Sequence, residues 1–318
     1  MPELPEVHTT VTGLQKTLPG LRITGAWTDL ATRTYTSPHL RESHKDTKFF
    51  TAFQKKVSGA KVLSVERRAK NILINIQKAK EKLTILIHMK MTGHIMIGTY
   101  TLKKTGTPQH DVWEPVLTEK NEALRDPYNK YIHLVLSLSN KKHLVLSDVR
   151  RFAKVTLIDT ATAHESIHLN HIGPEPLDAS FTAKLCKERL MKRPNMKIKI
   201  ALLDQQLIAG IGNIYSDEML FLADIHPMSI VSKIPSNYWL PLYKGMKAVL
   251  KKGIDFGGDS TSDYRDIEGK RGSFQHAHNV YRRTGTPCRK RGCNGTIIRL
   301  PFGGRSAHFC DIHQKLYS

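Results

Sequence analysis

Long apolar runs are missing from this 318-residue chain: none approaches the roughly 18 residues a membrane-spanning helix needs, and the start lacks the basic and apolar regions of a secretory signal. An intracellular protein that avoids membranes is the expectation. Cysteine is scarce, with four in all. Three of the four fall in the last thirty-one residues while Cys186 stands alone in a helical stretch, which is metal spacing and not a disulfide framework. Acid is the remaining shortage. Against 49 Lys and Arg there are 28 Asp and Glu, a formal charge of +21, and such an excess favours a polyanion held in a salt-sensitive way. The imbalance is sharpest at the end, where residues 270–318 hold ten basic side chains and one acid, Asp311. No internal repeat and no low-complexity tract is present.

What is there suffices for two domains with real cores, since 40% of the residues are hydrophobic. The first half reads as short strands over 61–66, 71–77, 83–89, 131–138 and 154–159, rich in Ile, Leu and Val, and predicts a β-sandwich. A helix precedes them. Val7, Val11, Leu14 and Leu18 recur at helical spacing and Pro19-Gly20 stops it. The insert from Thr101 to Lys130, carrying Pro, Gly, Asn and charges, reads as a surface loop. Past Ser166 the texture changes: HIGPEPLD (171–178) fits a linker, and 180–206 and 235–252 show helical periodicity. The fold expected is α+β, divided into a catalytic sandwich domain (1–165), a helical domain (166–270) and a terminal β-hairpin (271–318).

Three motifs carry chemistry. MPELPEV places Pro2 behind the initiator methionine, so trimming would expose a secondary amine of a class titrating near 7.7–8.0, far below lysine's ~10.4. An uncharged amine of this kind can attack an electrophilic carbon and form an iminium, with Glu3 one peptide bond away to shuttle protons. In AGIGNIYSDE (209–218) the glycines allow close backbone approach and a helix starting near Ile214 offers free N–H groups to an anion such as phosphate; an ordinary interhelical turn gives the same pattern. Cys288-x4-Cys293-x16-Cys310-x2-His313 supplies two pairs of soft ligands, matching a tetrahedral structural Zn2+ site at the tip of a hairpin formed by Thr296–Arg299, Gly303-Gly304-Arg305 and Ala307–Phe309, with a reduced metal-free hairpin as the alternative.

Taken together, MPELPEV, RRAKNIL (67–73), HMKMTG (88–93), SDVRRF (147–152), HIGPEPL, AGIGNIYSDE and the cysteine hairpin resemble the formamidopyrimidine-DNA glycosylase / endonuclease VIII family along nearly the whole chain. The resemblance implies a β-sandwich, a helix-two-turns-helix module and a zinc-finger hairpin, acting as a monomer on double-stranded DNA that contains oxidised bases or abasic sites. It implies a bifunctional glycosylase and lyase of base excision repair, needing no redox cofactor, placed in the cytoplasm with the nucleoid in a bacterium or in the nucleus of a eukaryote. Pro2 is then the nucleophile that forms a Schiff base, Glu3 the proton donor and acceptor, and Glu6 a supporting carboxylate. Lys70, Asn213 and Arg305 match the family's DNA-contacting lysine, asparagine and hairpin arginine, and Lys199 is a further phosphate contact. A base inside a duplex must be flipped out to be reached. Met91, Arg150 and Phe152 match the trio that fills the void and meets the orphaned partner base. The stretch from Gly257 to Tyr281 resembles the long base-capping loop of the formamidopyrimidine branch, favouring oxidised purines such as 8-oxoguanine and formamidopyrimidines, and its polar, glycine-rich composition suggests a lid ordered only by substrate. Cys-x4-Cys and His313 depart from the family's four-cysteine pattern. An inactive DNA-binding relative and a basic zinc-finger RNA-binding protein are the competing classes; the retained Pro2 and Glu3 favour the enzyme.

Overall fold

The computed structural model describes residues 1–106 and 111–318, with the backbone alone at positions 38 and 39. Two compact units emerge. The first holds Met1–Pro2, Glu6–Asn170 and Gly257–Gly272; the second holds Glu3–Pro5, His171–Phe256 and Ser273–Ser318. Packing therefore divides the chain differently from the three-part sequence reading: the segment 257–272 returns to the sandwich, and the hairpin packs with the helices. Among the described residues no helix is long and apolar enough to cross a membrane.

In the first unit, helix α1 (Leu4–Thr17) buries Val7, Val11 and Leu14 on one face, as their spacing predicts, and Leu18 continues that face. Gly20 at φ +89° then turns the chain into strand β1 (Ile23–Thr28). Helices α2 (Pro38–Arg41) and α3 (Thr47–Val57) follow, the second capped by Asp46, whose side chain accepts from Phe49 N–H at 2.9 Å. The strands are β2 (Lys61–Arg68), β3 (Asn71–Lys78), β4 (Glu81–His88), β5 (His94–Gly98), β6 (Tyr100–Lys103), β7 (Val112–Pro115), β8 (Ile132–Leu138), β9 (His143–Ser147) and β10 (Lys154–Asp159). They form two antiparallel four-stranded sheets, ordered β1-β8-β9-β5 and β10-β4-β3-β2. Alternate residues, Ile72, Ile74 and Ile76 from one sheet and Leu134, Leu136, Leu144 and Leu146 from the other, fill a shared core with α1 and with Phe50, Phe53 and Val57 of α3.

The insert is not the surface loop its composition suggests. The β6–β7 hairpin and two 3-10 turns (Glu119–Arg125 and Pro127–Lys130) build a second, smaller core, in which Tyr100 and Leu124 pack with Met96, Ile132, Val135 and Val145. Trp113 and Trp27 meet edge to face at 6.0 Å beside it. The reason is the other face of the first sheet: Met96, Val135 and Val145 alternate with the main-core residues and are themselves apolar, so that face requires a cover.

The second unit is helical: α4 (Ala183–Met191), α5 (Ile198–Leu203), α6 (Asn213–Leu222) and α7 (Trp239–Asp255), followed by the hairpin β11 (Ile297–Phe302) and β12 (Arg305–Cys310). Periodicity over 180–206 divides into α4 and α5 on either side of Pro194. Leu190, Ile198, Leu202, Ile208, Tyr215, Met219, Leu242 and Leu250 close a core that Leu4 joins.

Candidate functional site

Strand register gathers several of the predicted residues at one end of the sandwich. Asn71 opens β3 and pairs with His88 at the end of β4, which pairs in turn with Lys154 at the start of β10. The turns carrying Lys70, Met91, Arg150 and Phe152 consequently leave the sheet from the same edge. Each contains a non-glycine residue in the left-handed region, Ala69 at φ +52°, Lys90 at +56° and Arg151 at +57°, a backbone state that costs energy and that surrounding structure must enforce. Asp148 does part of the enforcing. Its buried carboxylate takes the Thr92 hydroxyl and the N–H of Ala153 at 2.7 Å, while Thr92 Oγ1 accepts from Arg150 N–H at 3.1 Å, tying the β4–β5 turn to the β9–β10 turn. Lys45 Nζ donates to the Arg151 carbonyl at 2.6 Å.

The side chains so presented differ in exposure. Phe152 is 50% exposed, and the Arg150 guanidinium lies over its ring at 4.5 Å. The pair presents one apolar ring face and one cation together at the surface. Met91 is half-buried and Lys70 is buried at the mouth of its turn. Between them His88 accepts from Lys90 N–H at 3.0 Å, and burial, assisted by Lys90 and Lys70, drives its pKa down to about 3. The imidazole stays neutral there, adding no charge to two lysines.

In the second unit Glu3 meets a helix end. The N-terminus of α6 is occupied: Glu3 Oε1 accepts from Ile214 N–H at 3.0 Å, and Leu4 N–H donates to the Gly210 carbonyl at 3.0 Å. The anion seated at that helix end is the Glu3 carboxylate. Gly212 is required because a side chain there would overlie the carboxyl group, and Gly210, at φ +82°, lies against Leu4. Asn213 starts the helix half-buried, its side-chain Oδ1 without a hydrogen-bond partner among the described residues.

Lys199 is fully buried and paired with Asp217, and it donates to the Ser306 carbonyl at 3.0 Å. Burial lowers its pKa, opposed by Asp217. A lysine so enclosed ties α5 to α6 and to the hairpin. Asp217 and the adjacent Glu218 are buried positioning residues that the sequence reading passed over inside its own motif. Asp217 Oδ2 accepts from His308 N–H at 3.0 Å on β12, and Glu218 accepts from the N–H groups of Asn279, Val280 and Tyr281 at 2.8 to 2.9 Å. The detectable signal was two consecutive carboxylates running directly into an apolar stretch, residues 219–222, of the same helix.

On the hairpin, Gly303 (φ +54°) and Gly304 (φ +73°) make the two-residue turn, which leaves Arg305 exposed at the tip. The cysteines sit at the opposite end, where Cys310 pairs with Ile297, so the cluster belongs to the base of the hairpin and not its tip. Ligand atoms of Cys288, Cys293, Cys310 and His313 lie within 4.8 Å of one another, with Cys293 Sγ 3.6 Å from Cys310 Sγ and Cys288 Sγ 3.4 Å from His313 Nδ1. A tetrahedral ion with ~2.3 Å metal–sulfur bonds separates its sulfurs by about 3.8 Å. The donor set fits. Lys290 and Gly295 N–H groups point at two of the sulfurs (3.3 and 3.4 Å), and His313 Nε2 lies 3.6 Å from Asp224 Oδ1, a carboxylate placed to orient the ring. Cys186 takes no part: burial raises its thiol to about 12.

Comparison with known proteins is consistent along the chain. The model of the formamidopyrimidine-DNA glycosylase N-terminal domain matches residues 1–155, and that of the family's H2TH domain matches 172–265. Formamidopyrimidine-DNA glycosylase of Pelotomaculum thermopropionicum is 33% identical over 99% of this chain and 100% of its own. The structure of Lactococcus lactis Fpg in complex with an abasic site containing DNA superposes with a TM-score of 0.78 at 28% identity, covering 98% of this chain and 99% of that one. MutM in complex with carbocyclic 8-oxo-G containing DNA gives 0.77 at 29% identity over 99% and 100%. Fold and matches together define a helix-two-turns-helix DNA glycosylase, an enzyme of DNA repair. The chain belongs to the formamidopyrimidine-DNA glycosylase family.

Proposed function

We propose that this chain is a bifunctional glycosylase and lyase that removes oxidised purines, 8-oxoguanine and formamidopyrimidines first, from double-stranded DNA and then cuts the strand. The observation that carries the reading is Glu3: directly behind Pro2 in the chain, it is 2% exposed and held by a helix N-terminus, so a fixed carboxylate stands beside the amine that trimming of Met1 would free. The Pro2 nitrogen attacks the anomeric carbon, the glycosidic bond breaks, and the base departs with a proton. Glu3 relays protons as the sugar opens to the Schiff base. That iminium acidifies the neighbouring sugar hydrogens, and loss of the 3′ and then the 5′ phosphate by β- and δ-elimination leaves a one-nucleotide gap. Glu6 supports this machinery.

Lys70, Asn213 and Arg305 hold DNA phosphates around the lesion, while Met91, Arg150 and Phe152 fill the space of the extruded nucleotide. The sandwich carries the void-filling residues; the helical module and hairpin add grip. The relative bound to carbocyclic 8-oxo-G DNA supports the purine preference. The protein works as a monomer, with the nucleoid in a bacterial cytoplasm or in a eukaryotic nucleus. Trapping with borohydride on an 8-oxoguanine:cytosine duplex tests the chemistry: wild type is expected to give a covalent adduct, and its absence on every oxidised-purine duplex would end this reading. Glu3→Gln is expected to lose at least about 100-fold in excision while binding an abasic analogue within severalfold, because shape is kept and a proton-transfer group is removed.

Zinc is the metal that three thiolates and one imidazole select at tetrahedral spacing. It staples the hairpin base and supplies folding energy there; Cys288, Cys293, Cys310 and His313 hold it. Elemental analysis should find about one zinc per chain, and Cys310→Ser should release it and lower DNA affinity by loosening the strand that ends in Arg305. A metal-free wild type that binds and cuts normally would leave the hairpin held by strand pairing alone.

A further inference from the structure

The stretch from Gly257 to Tyr281 reads in sequence as a lid that only substrate orders, yet its part 257–272 is packed into the sandwich unit. Its near end is held by Glu6: Oε1 accepts from Asp259 N–H at 2.7 Å, and Tyr264 Oη donates to the Glu6 carbonyl at 3.0 Å. The far end is held by something else. Arg265 is only 2% exposed. Its Nε lies 2.9 Å from Asp126 Oδ2, its Nη1 donates to the carbonyls of Ser262 (2.9 Å) and Tyr264 (2.8 Å), and its guanidinium stacks on Tyr128 at 5.0 Å. One planar fork thus shapes the segment's own turn and fastens it outward. Asn129 donates to the Gly269 carbonyl at 3.3 Å, and Ile97 N–H donates to the Ile267 carbonyl at 2.8 Å. Gly269 sits at φ +82°, where a side chain would strike Asn129 and Leu124. Asp126, Tyr128 and Asn129 all come from the insert 101–130.

A buried guanidinium is tolerable only when paired and hydrogen-bonded, and removing its partner leaves an uncompensated charge in the interior. Asp126 therefore governs whether Arg265 holds the far end of 257–272 in this conformation. We infer that the insert is a latch: Asp126, with Tyr128 and Asn129, grips Arg265 and Gly269, fixes the base-capping segment before DNA arrives, and so acts as a positioning element for selection of the damaged base. The inference rests on the proposed reading of 257–272 as the cap over an extruded base. It replaces substrate-driven ordering with a preformed cap, for which binding a lesion carries less ordering cost.

The reading gives the latch a distinctive signature. An abasic site has no base to cap, so a residue acting through the cap must affect base excision and spare strand cleavage at abasic DNA. Asp126→Asn is nearly isosteric and removes the charge; Asn129→Ala removes the second grip without leaving a buried ion. Amide hydrogen exchange over 259–271 is expected to quicken at least about tenfold in Asp126→Asn, and less in Asn129→Ala, with strands β3 and β4 as protected as in wild type. Excision of 8-oxoguanine from an 8-oxoguanine:cytosine duplex should fall by about tenfold in the first variant, with nicking of abasic duplex within twofold. Unchanged exchange over 259–271 in both variants would overturn the latch while leaving the glycosylase reading intact. Faster exchange with unchanged excision would overturn the role in base selection, and an equal loss on both substrates would place the effect outside the cap.

Discussion

A protein carrying even one extra residue ahead of Pro2 is expected to lose the borohydride-trapped complex and both base excision and strand cleavage, by at least about 1,000-fold, while still binding DNA. An amide nitrogen has no free electron pair to attack a sugar carbon, so the loss follows from converting the secondary amine into a peptide. Retained binding is the other half of the expectation, because Arg150, Phe152, Asn213 and Arg305 are presented by elements that an added residue does not touch. The measurement is trapping on an abasic duplex with a gel-shift control. Full trapping by the extended protein would move the nucleophile to a lysine.

The second large effect concerns an ion pair and not the chemistry. Asp217→Asn should cost about 3–5 kcal/mol in urea unfolding, the range for breaking a buried pair by removing one partner. Lys199 would stay in the interior without its paired carboxylate, and His308 would lose an anionic acceptor for its backbone N–H. The pH dependence follows in sign. Burial lowers Lys199 and Asp217 opposes that lowering. Without Asp217 the folded-state value falls further below the unfolded one, so between the two the unfolded chain binds more protons and stability climbs with pH. The variant's deficit should therefore shrink toward pH 10, and adding Lys199→Met should recover most of it at pH 7. A loss below about 1 kcal/mol at pH 7 would reduce the pair to the worth of a surface bridge.

How legible was all this in the chain? The strands rich in Ile, Leu and Val were plain; that over 154–159 emerges with the same bounds, and the helix ended by Pro19-Gly20 appears where its spacing put it. Strand β1 was missed, with Gly25 breaking its alternation, and so were the five-residue strands β5 and β9, too short to show a period. Helix α3 left a usable trace in Asp46 followed by Phe50, Phe53 and Val57, an N-cap before an apolar face. The site divides along another line. Phe152 and Arg305, which the motif resemblance singles out, stand exposed. Polar residues that work from inside, Asp148, Asp217, Glu218 and Lys199, look in sequence like any surface acid or lysine, because burial of a polar group is decided by partners up to a hundred positions away.

Discontinuity of the sandwich unit sets a timetable. Asp126 and Asn129 lie in its first stretch, but Arg265 and Gly269 belong to a stretch 139 residues further along, counting from Asp126 to Arg265, and the chain between them builds the other unit. At synthesis rates of about 5–20 residues per second the carboxylate waits roughly 7 to 28 seconds for its guanidinium. Through that interval Leu124 and the α1 face around Gly13, later covered by Gly269 and Ile267, are open to water. The nascent sandwich thus leaves the ribosome as an unfinished body, and an early stop anywhere before residue 257 yields a fragment that no amount of time completes.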